Sequence, residues 1–213
     1  MTASSFLTVS SSKRSAIKSI AVCALFAGAT SVLVACSPEE KPQFKSIDLT
    51  GADYAKDFAL ADQNGQQRSM KDFSGKVVIV FFGFTQCPDV CPTSMGELAQ
   101  IKKTMGADSD KLQVIFITLD PERDTAELLK AYMGNFDPTF IALRPTMNQL
   151  PQVAKDFKIY YKKVEGTTPG SYSMDHSAGS YIYDPKGNIR LYSRYGNDAQ
   201  GLTSDLRLLL KGA

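Results

Sequence analysis

The sequence predicts an α/β domain with a mainly parallel central sheet, helices on both faces and a β-hairpin near its C-terminal end. Three observations carry this expectation. Two long apolar runs, Lys76–Phe84 (KVVIVFFGF) and Leu112–Leu119 (LQVIFITL), lack the alternation of a strand with one wet face, so both read as strands buried on both sides. Each run is followed by a segment with helical spacing of its apolar residues, and a strand–helix–strand alternation implies parallel neighbours. The chain then changes character: two short strand-like runs flank the turn Pro185-Lys186-Gly187.

The elements follow in order. Asp57–Gln66 predicts a short hairpin turning at Asn64-Gly65. Lys76–Phe84 is the first buried strand. Pro92–Met105 places Met95, Leu98, Ile101 and Met105 on one face, a helix opened by Pro92 at its first position. Leu112–Leu119 is the second strand, and Thr125–Phe136 a helix capped by Asp124. Thr139–Leu143 supplies a third strand. Met147–Phe157 reads as a helix with Pro151 in its first turn or at a kink. Gly179–Asp184 and Asn188–Tyr192 form the hairpin, and Leu202–Leu210 a closing helix. No internal repeat or low-complexity tract follows residue 43.

Composition limits the function. The 213 residues are 43% hydrophobic and 22% charged, a globular balance. With 24 basic against 22 acidic residues, the chain is not a nucleic-acid binder held by bulk charge. Four cysteines and one histidine exclude both a multi-cysteine scaffold and a multi-histidine metal site.

The N-terminal residues read as an address. Lys13, Arg14 and Lys18 precede the uncharged run 19–35 (SIAVCALFAGATSVLVA), the pattern of a secretory signal. Leu33-Val34-Ala35-Cys36 resembles the bacterial lipobox, which implies cleavage before Cys36 and its lipidation. The expected organisation is a lipoprotein signal over 1–35, a polar tether over 36–43 and one domain over 44–213. An uncleaved membrane helix is the alternative, at the short limit for spanning. Either way the charge pattern puts the domain outside the cytoplasm, on the periplasmic side and tied to a membrane. Ser37 after the cysteine points, if enteric-type sorting applies, to the outer membrane.

Cys23 lies in the apolar run, so Cys87 and Cys91 remain as the domain's thiols. They sit in Phe84-Thr-Gln-Cys87-Pro-Asp-Val-Cys91-Pro, between a buried strand and a helix. The ends of parallel strands collect ligands and reactive groups, and a helix N-terminus favours thiolate over thiol. At least one of the two thiols is therefore expected below its ordinary pKa. Pro92 biases Cys91 away from helical dihedrals, so Cys91 is expected to cap the helix and Cys87 to lie in the loop before it. Three residues separate the pair, and the loop allows two thiolates around a metal as well as a disulfide. A purely structural bridge over so small a loop would add little stability.

His176, in Ser173-Met-Asp-His176-Ser, precedes the hairpin. A lone histidine is ordinarily a surface or satisfied core residue. Two thiolates and one imidazole, brought together, make a soft three-ligand site suited to copper, especially Cu(I), or to zinc. The resemblance is more specific. Gly83-Phe-Thr-Gln-Cys87-Pro-Asp-Val-Cys91-Pro, then Phe116-Ile-Thr-Leu-Asp120-Pro-Glu-Arg-Asp124-Thr, then Asp175-His176-Ser, then Tyr181-Ile-Tyr-Asp184-Pro-Lys-Gly187 resemble, in this order, the Sco/SenC family of copper-binding assembly factors for cytochrome c oxidase. The resemblance implies a thioredoxin-like fold and copper ligands at Cys87, Cys91 and His176. It implies Cu(I), with Cu(II) open, an oxidase copper-site subunit as recipient and an upstream copper donor. Many members carry a spanning anchor where this chain has a lipobox.

Neighbouring residues have two readings each. Asp120 either supports the metal loop from behind or belongs to a turn with Pro121. Asp175 is a candidate to orient the imidazole. Asp89 opposes a thiolate's charge or is a solvated turn residue, and Met174 is read as packing rather than as a soft ligand. The tyrosines of the last third read as strand and interface residues. The sequence favours copper delivery. The alternative is a thiol–disulfide oxidoreductase in which Cys87 and Cys91 reduce the recipient's cysteines.

Overall fold

The computed structural model describes residues 42–213. The expected signal, the lipobox cysteine Cys36 and most of the tether fall on residues 1–41 and lie outside the described residues. None of the described helices is long and apolar enough to cross a membrane.

The described strands and α-helices are β1 (Ile47–Asp48), β2 (Leu60–Asp62), β3 (Gln67–Arg68), β4 (Val77–Gly83), α1 (Val90–Thr104), β5 (Leu112–Thr118), α2 (Ala126–Gly134) and β6 (Ile141–Arg144), then α3 (Leu150–Asp156), β7 (Tyr161–Glu165), β8 (Tyr172–His176), β9 (Gly179–Tyr183), β10 (Ile189–Arg194) and α4 (Ala199–Leu210), with short 3-10 turns at Met70–Phe73 and Gly106–Lys111. Eight strands form one sheet in the order β1-β10-β9-β4-β5-β6-β2-β3. Its centre is parallel, β4 beside β5 and β5 beside β6. Both flanks are antiparallel, with β9 on β4 and β2 on β6. The expected class holds, with the parallel part confined to the middle.

The central strands explain themselves. All seven residues of β4 are buried, and so are all seven of β5. Side chains of β4 alternate between two cores. Val77, Ile79 and Phe81 face Met95, Leu98 and Ile101 of α1, Leu129 and Met133 of α2, and Leu202, Leu206 and Leu209 of α4. Val78, Val80 and Phe82 face Leu150 and Ala154 of α3, together with Phe157, Phe58 and Phe73. A strand read by both cores cannot afford a polar alternation, which is why the sequence shows none. Each such side chain contributes about 1.5–3 kcal/mol by leaving water.

The boundaries depart from expectation in physically readable ways. Helix α1 begins at Val90 behind Asp89, so Pro92 is its third residue and Cys91 lies inside the first turn rather than capping it. The first turn of a helix has no intrahelical partner for its N–H groups, so proline is tolerated there. Helix α2 is capped by Thr125, whose hydroxyl accepts from the Leu128 N–H at 3.2 Å, not by Asp124. Asp124 has been drawn into the interior instead. Helix α3 starts at Leu150 with Pro151 in its first turn, one of the two placements expected.

The ribbon β7–β8 has no counterpart in the expected elements. It pairs from Tyr161↔His176 to Glu165↔Tyr172 and stands apart from the main sheet. Four of the five β7 residues are exposed, so no buried face marked it. Along β8 the pattern is clearer: Tyr172, Met174 and His176 turn inward, while Ser173 and Asp175 are exposed.

Candidate metal centre

The site lies at the C-terminal end of β4. Gly83 closes that strand, and a Cβ there would begin 2.8 Å from Cys91 Sγ and 2.9 Å from the rings of Phe116 and Phe81. Only glycine lets the cysteine sulfur approach the strand so closely. The chain then turns, with Cys87 N–H donating to the Phe84 carbonyl at 3.2 Å. Cys87 Sγ accepts from the Cys91 N–H at 3.4 Å, one of the free donors of the α1 N-terminus. Both cysteines are free thiols; Cys91 is buried and Cys87 half-buried. Asp89 is exposed at the N-cap.

The loop is held from below by Asp124. Its carboxylate accepts from the Thr85 N–H at 3.1 Å, the Thr85 hydroxyl at 2.6 Å and the Thr118 hydroxyl at 2.5 Å. Burial pushes the Asp124 carboxyl above the usual carboxylate range, and these donors only partly offset it. A carboxylate that ties the end of β5 to the loop after β4 is more than a helix cap, and nothing in the sequence spacing marked it.

His176 arrives from β8, 85 residues after Cys91, and its Nε2 lies 3.9 Å from Cys91 Sγ. Nδ1 lies 2.9 Å from the Ser177 carbonyl. A carbonyl only accepts, so Nδ1 carries the hydrogen and Nε2 turns its lone pair towards the sulfur. Burial pushes the imidazole below its ordinary pKa, against the opposing pull of the Ser177 carbonyl and of Asp175. The neutral ring is the metal-binding form. The Phe84 ring stands edge-on to it, centroids 6.0 Å apart. Asp175 is exposed on the other face of β8, and the orienting contact expected of it is made by the Ser177 carbonyl.

Burial also pushes the Cys91 thiol well above its ordinary value, and neighbouring Cys87 adds to the push, against a lowering hydrogen bond from the Phe84 backbone. This is the reverse of the direction the helix N-terminus alone would give Cys91. A sulfur without water nearby is costly to charge unless a cation replaces its proton. Ordinary bonds from a soft metal, about 2.3 Å to sulfur and about 2.0 Å to imidazole nitrogen, sum to slightly more than the 3.9 Å separation, so both atoms can reach one ion. The described residues hold no ready-made group of three His, Cys, Asp or Glu side chains at metal-holding distances. Cys91 and His176 form a pair, and Cys87 is turned towards the helix N–H beside them.

Among the described residues, no hydrogen bond or ion pair joins Asp120 to any of these three. It is buried, pairs with the Arg123 guanidinium and accepts from the Tyr172 hydroxyl at 3.0 Å. Arg123 also donates to Gln86 Oε1 at 3.0 Å and to the Tyr172 carbonyl at 2.9 Å, with its guanidinium 3.5 Å from the Tyr172 ring centroid. Arg123 thus joins the cysteine loop to the histidine ribbon, with Asp120 holding it from behind. Arg123 and Tyr172 were missed in the sequence, because their value comes from a ribbon that carried no signal. Met174 is buried in packing, as expected.

The family model described as SCO1/SenC matches residues 48–211. This chain belongs to the SCO1/SenC family. Among Sco-family relatives, the SCO2-like protein of Rickettsia felis is 34% identical over 163 residues, covering 75% of this chain and 80% of that one. The structure of Bradyrhizobium japonicum ScoI with copper bound is 38% identical, covers 72% of this chain and 97% of that one, and superposes with a TM-score of 0.66. Arabidopsis thaliana ScoI with copper bound is 30% identical, covers 74% of this chain and 98% of that one, and gives a TM-score of 0.68. The thioredoxin-like fold of these Sco proteins is the fold of this chain.

Proposed function

We propose that this Sco-family chain binds one copper ion through Cys87, Cys91 and His176 and passes it to the copper-site subunit of cytochrome c oxidase during assembly. The observation that carries the reading is the approach of His176 Nε2 to Cys91 Sγ, 3.9 Å apart across 85 residues of chain, with the imidazole neutral and its lone pair aimed at the sulfur. On this reading Cys87, whose Sγ here accepts from the Cys91 N–H, turns its sulfur to the ion as the third ligand. Two thiolates favour Cu(I), and the imidazole keeps Cu(II) within reach. Copper bound in the related Bradyrhizobium japonicum and Arabidopsis thaliana proteins supports the choice of metal over zinc. Copper is cargo here, received from an upstream donor and surrendered by ligand exchange.

Anaerobic titration of the reduced protein with Cu(I) tests this. One ion per chain is expected, with affinity falling more than about 100-fold in Cys87→Ser, Cys91→Ser and His176→Ala, beyond what loss of an outer partner costs. Unchanged binding in His176→Ala would remove the histidine from the site.

A second reading rests on the asymmetry of the pair, a half-buried Cys87 beside a buried Cys91 at a helix N-terminus. In a thiol–disulfide oxidoreductase, Cys87 would attack and Cys91 would resolve. Turnover of a disulfide substrate by His176→Ala, without copper binding in the parent, would favour it.

The chain is proposed to act on the periplasmic side as a lipoprotein tethered through Cys36, with residues 1–35 removed and 36–43 as spacer. Incorporation of labelled fatty acid, abolished in Cys36→Ser, tests the tether.

A further inference from the structure

The β7–β8 ribbon carries His176 but lies outside the main sheet, so no ladder to that sheet sets its place. The Nδ1 contact to the Ser177 carbonyl cannot do so either, because it travels with the ribbon. The same holds for the two bonds between Tyr160 and Ser177. Among the described residues, the hydrogen bonds and the ion pair that leave residues 161–176 for the body of the domain end on Asp120, Glu122 and Arg123, apart from the approach of His176 to Cys91. That turn is firmly seated. The Asp120 N–H donates to the Thr118 hydroxyl at 3.0 Å. Arg144 of β6 donates to the Pro121 carbonyl at 2.6 Å and to the Asp124 carbonyl at 2.8 Å.

Of the three residues, Arg123 also bonds the cysteine loop. Its Nε pairs with Asp120. Its Nη1 donates to Gln86 Oε1 at 3.0 Å, next to Cys87, and to the Tyr172 carbonyl at 2.9 Å. Tyr172 lies four residues before His176 on the same strand and the same face. A guanidinium serves several acceptors in fixed directions, which an ammonium does not. Holding all three leaves Nη2 buried with no partner. Such a donor is rare and calls for a reason. Here the reason is the span between two elements that each carry proposed ligands.

We propose that Arg123 is a positioning residue: by bonding the loop of Cys87 and the strand of His176 through one nitrogen, it sets the imidazole against the Cys91 sulfur, so that the ligands meet the ion already in place. The inference rests on the copper reading for its effect on affinity and is independent of it for the geometry of the metal-free protein.

Arg123→Ala, in the full-length reduced protein, should lower Cu(I) affinity about tenfold or more. The same change made in His176→Ala should leave the residual binding by the two thiolates level, since a residue that acts through the histidine has nothing left to act on. A merely structural role would weaken both backgrounds alike. In the metal-free protein, magnetisation transfer between the ring protons of Phe84 and His176, whose centroids lie 6.0 Å apart, should be lost in Arg123→Ala. If Arg123→Ala does not fold, Gln86→Ala decides in its place. Gln86 is exposed, and losing its one bond to Arg123 should cost about threefold in affinity, again only where His176 is present. If the parent binds no copper, the copper reading fails and the ring contact alone decides on Arg123. Parent-like copper affinity, an intact ring contact, or equal losses with and without His176 would each overturn the proposal.

Discussion

Gly83 has no room for a side chain. Its missing side chain is the space in which Cys91 Sγ, Phe81 and Phe116 meet. Gly83→Ala should cost about 1–3 kcal/mol by overpacking, measured by denaturant unfolding, and should displace Cys91 from His176. Asp124 makes a different case. Its carboxyl is held above the usual range by burial, so the folded state binds its proton more readily than the unfolded chain does. Its contribution is most favourable in acid and is lost as pH rises through the folded pKa. Asp124→Asn should therefore keep the fold at neutral pH and flatten the stability profile across that window. Asp124→Ala strands the Thr85 N–H and should cost about 1–3 kcal/mol. The sequence offered Cys87, Cys91 and His176 by residue type and motif. It misassigned Asp124, because an aspartate before Thr125 looks like a cap whether it turns outward or inward.

Among elements, the strongly buried strands were legible and the ribbon was not. Strands β4 and β5 announce themselves by unbroken apolar runs. The β7–β8 ribbon gains its place from Arg123, Asp120 and Tyr172, contacts between segments about 50 residues apart in sequence that no local pattern encodes. Arg123→Ala should raise amide exchange across residues 161–176 while leaving β4 and β5 protected. The β2–β3 hairpin shows the opposite charge logic from Asp124. Burial would raise the Asp62 carboxyl, but the Gln66 and Asn64 N–H groups and the Arg68 guanidinium, 2.9 Å away, together hold it below the usual range. That stabilisation is present above about pH 4, the ordinary carboxylate value, and is lost as pH falls through the folded pKa. Acid titrations of the parent and Asp62→Asn should converge at low pH and separate above it.

On the scale of the molecule, strand order matters more than strand count. The cysteines follow β4, yet one neighbour of β4 is β9, which follows the histidine. Both cores draw on this late strand, through Ile182 on one face and Tyr181 and Tyr183 on the other. A chain ended at residue 178 contains all three proposed ligands. It should nonetheless fail to hold copper and show no cooperative melt, because β4 has lost half its ladder.

This places a clock in the topology. If the chain is exported to the periplasmic side, as proposed, threading from its N-terminal end would deliver the two thiols to an oxidising compartment well before the imidazole, and the imidazole before β9 can lock either in place. During that interval the thiols have neither histidine nor packed core to shelter them, and a disulfide can form first. Newly exported protein would then need a reductant before it could receive its first ion, however well the finished site is built.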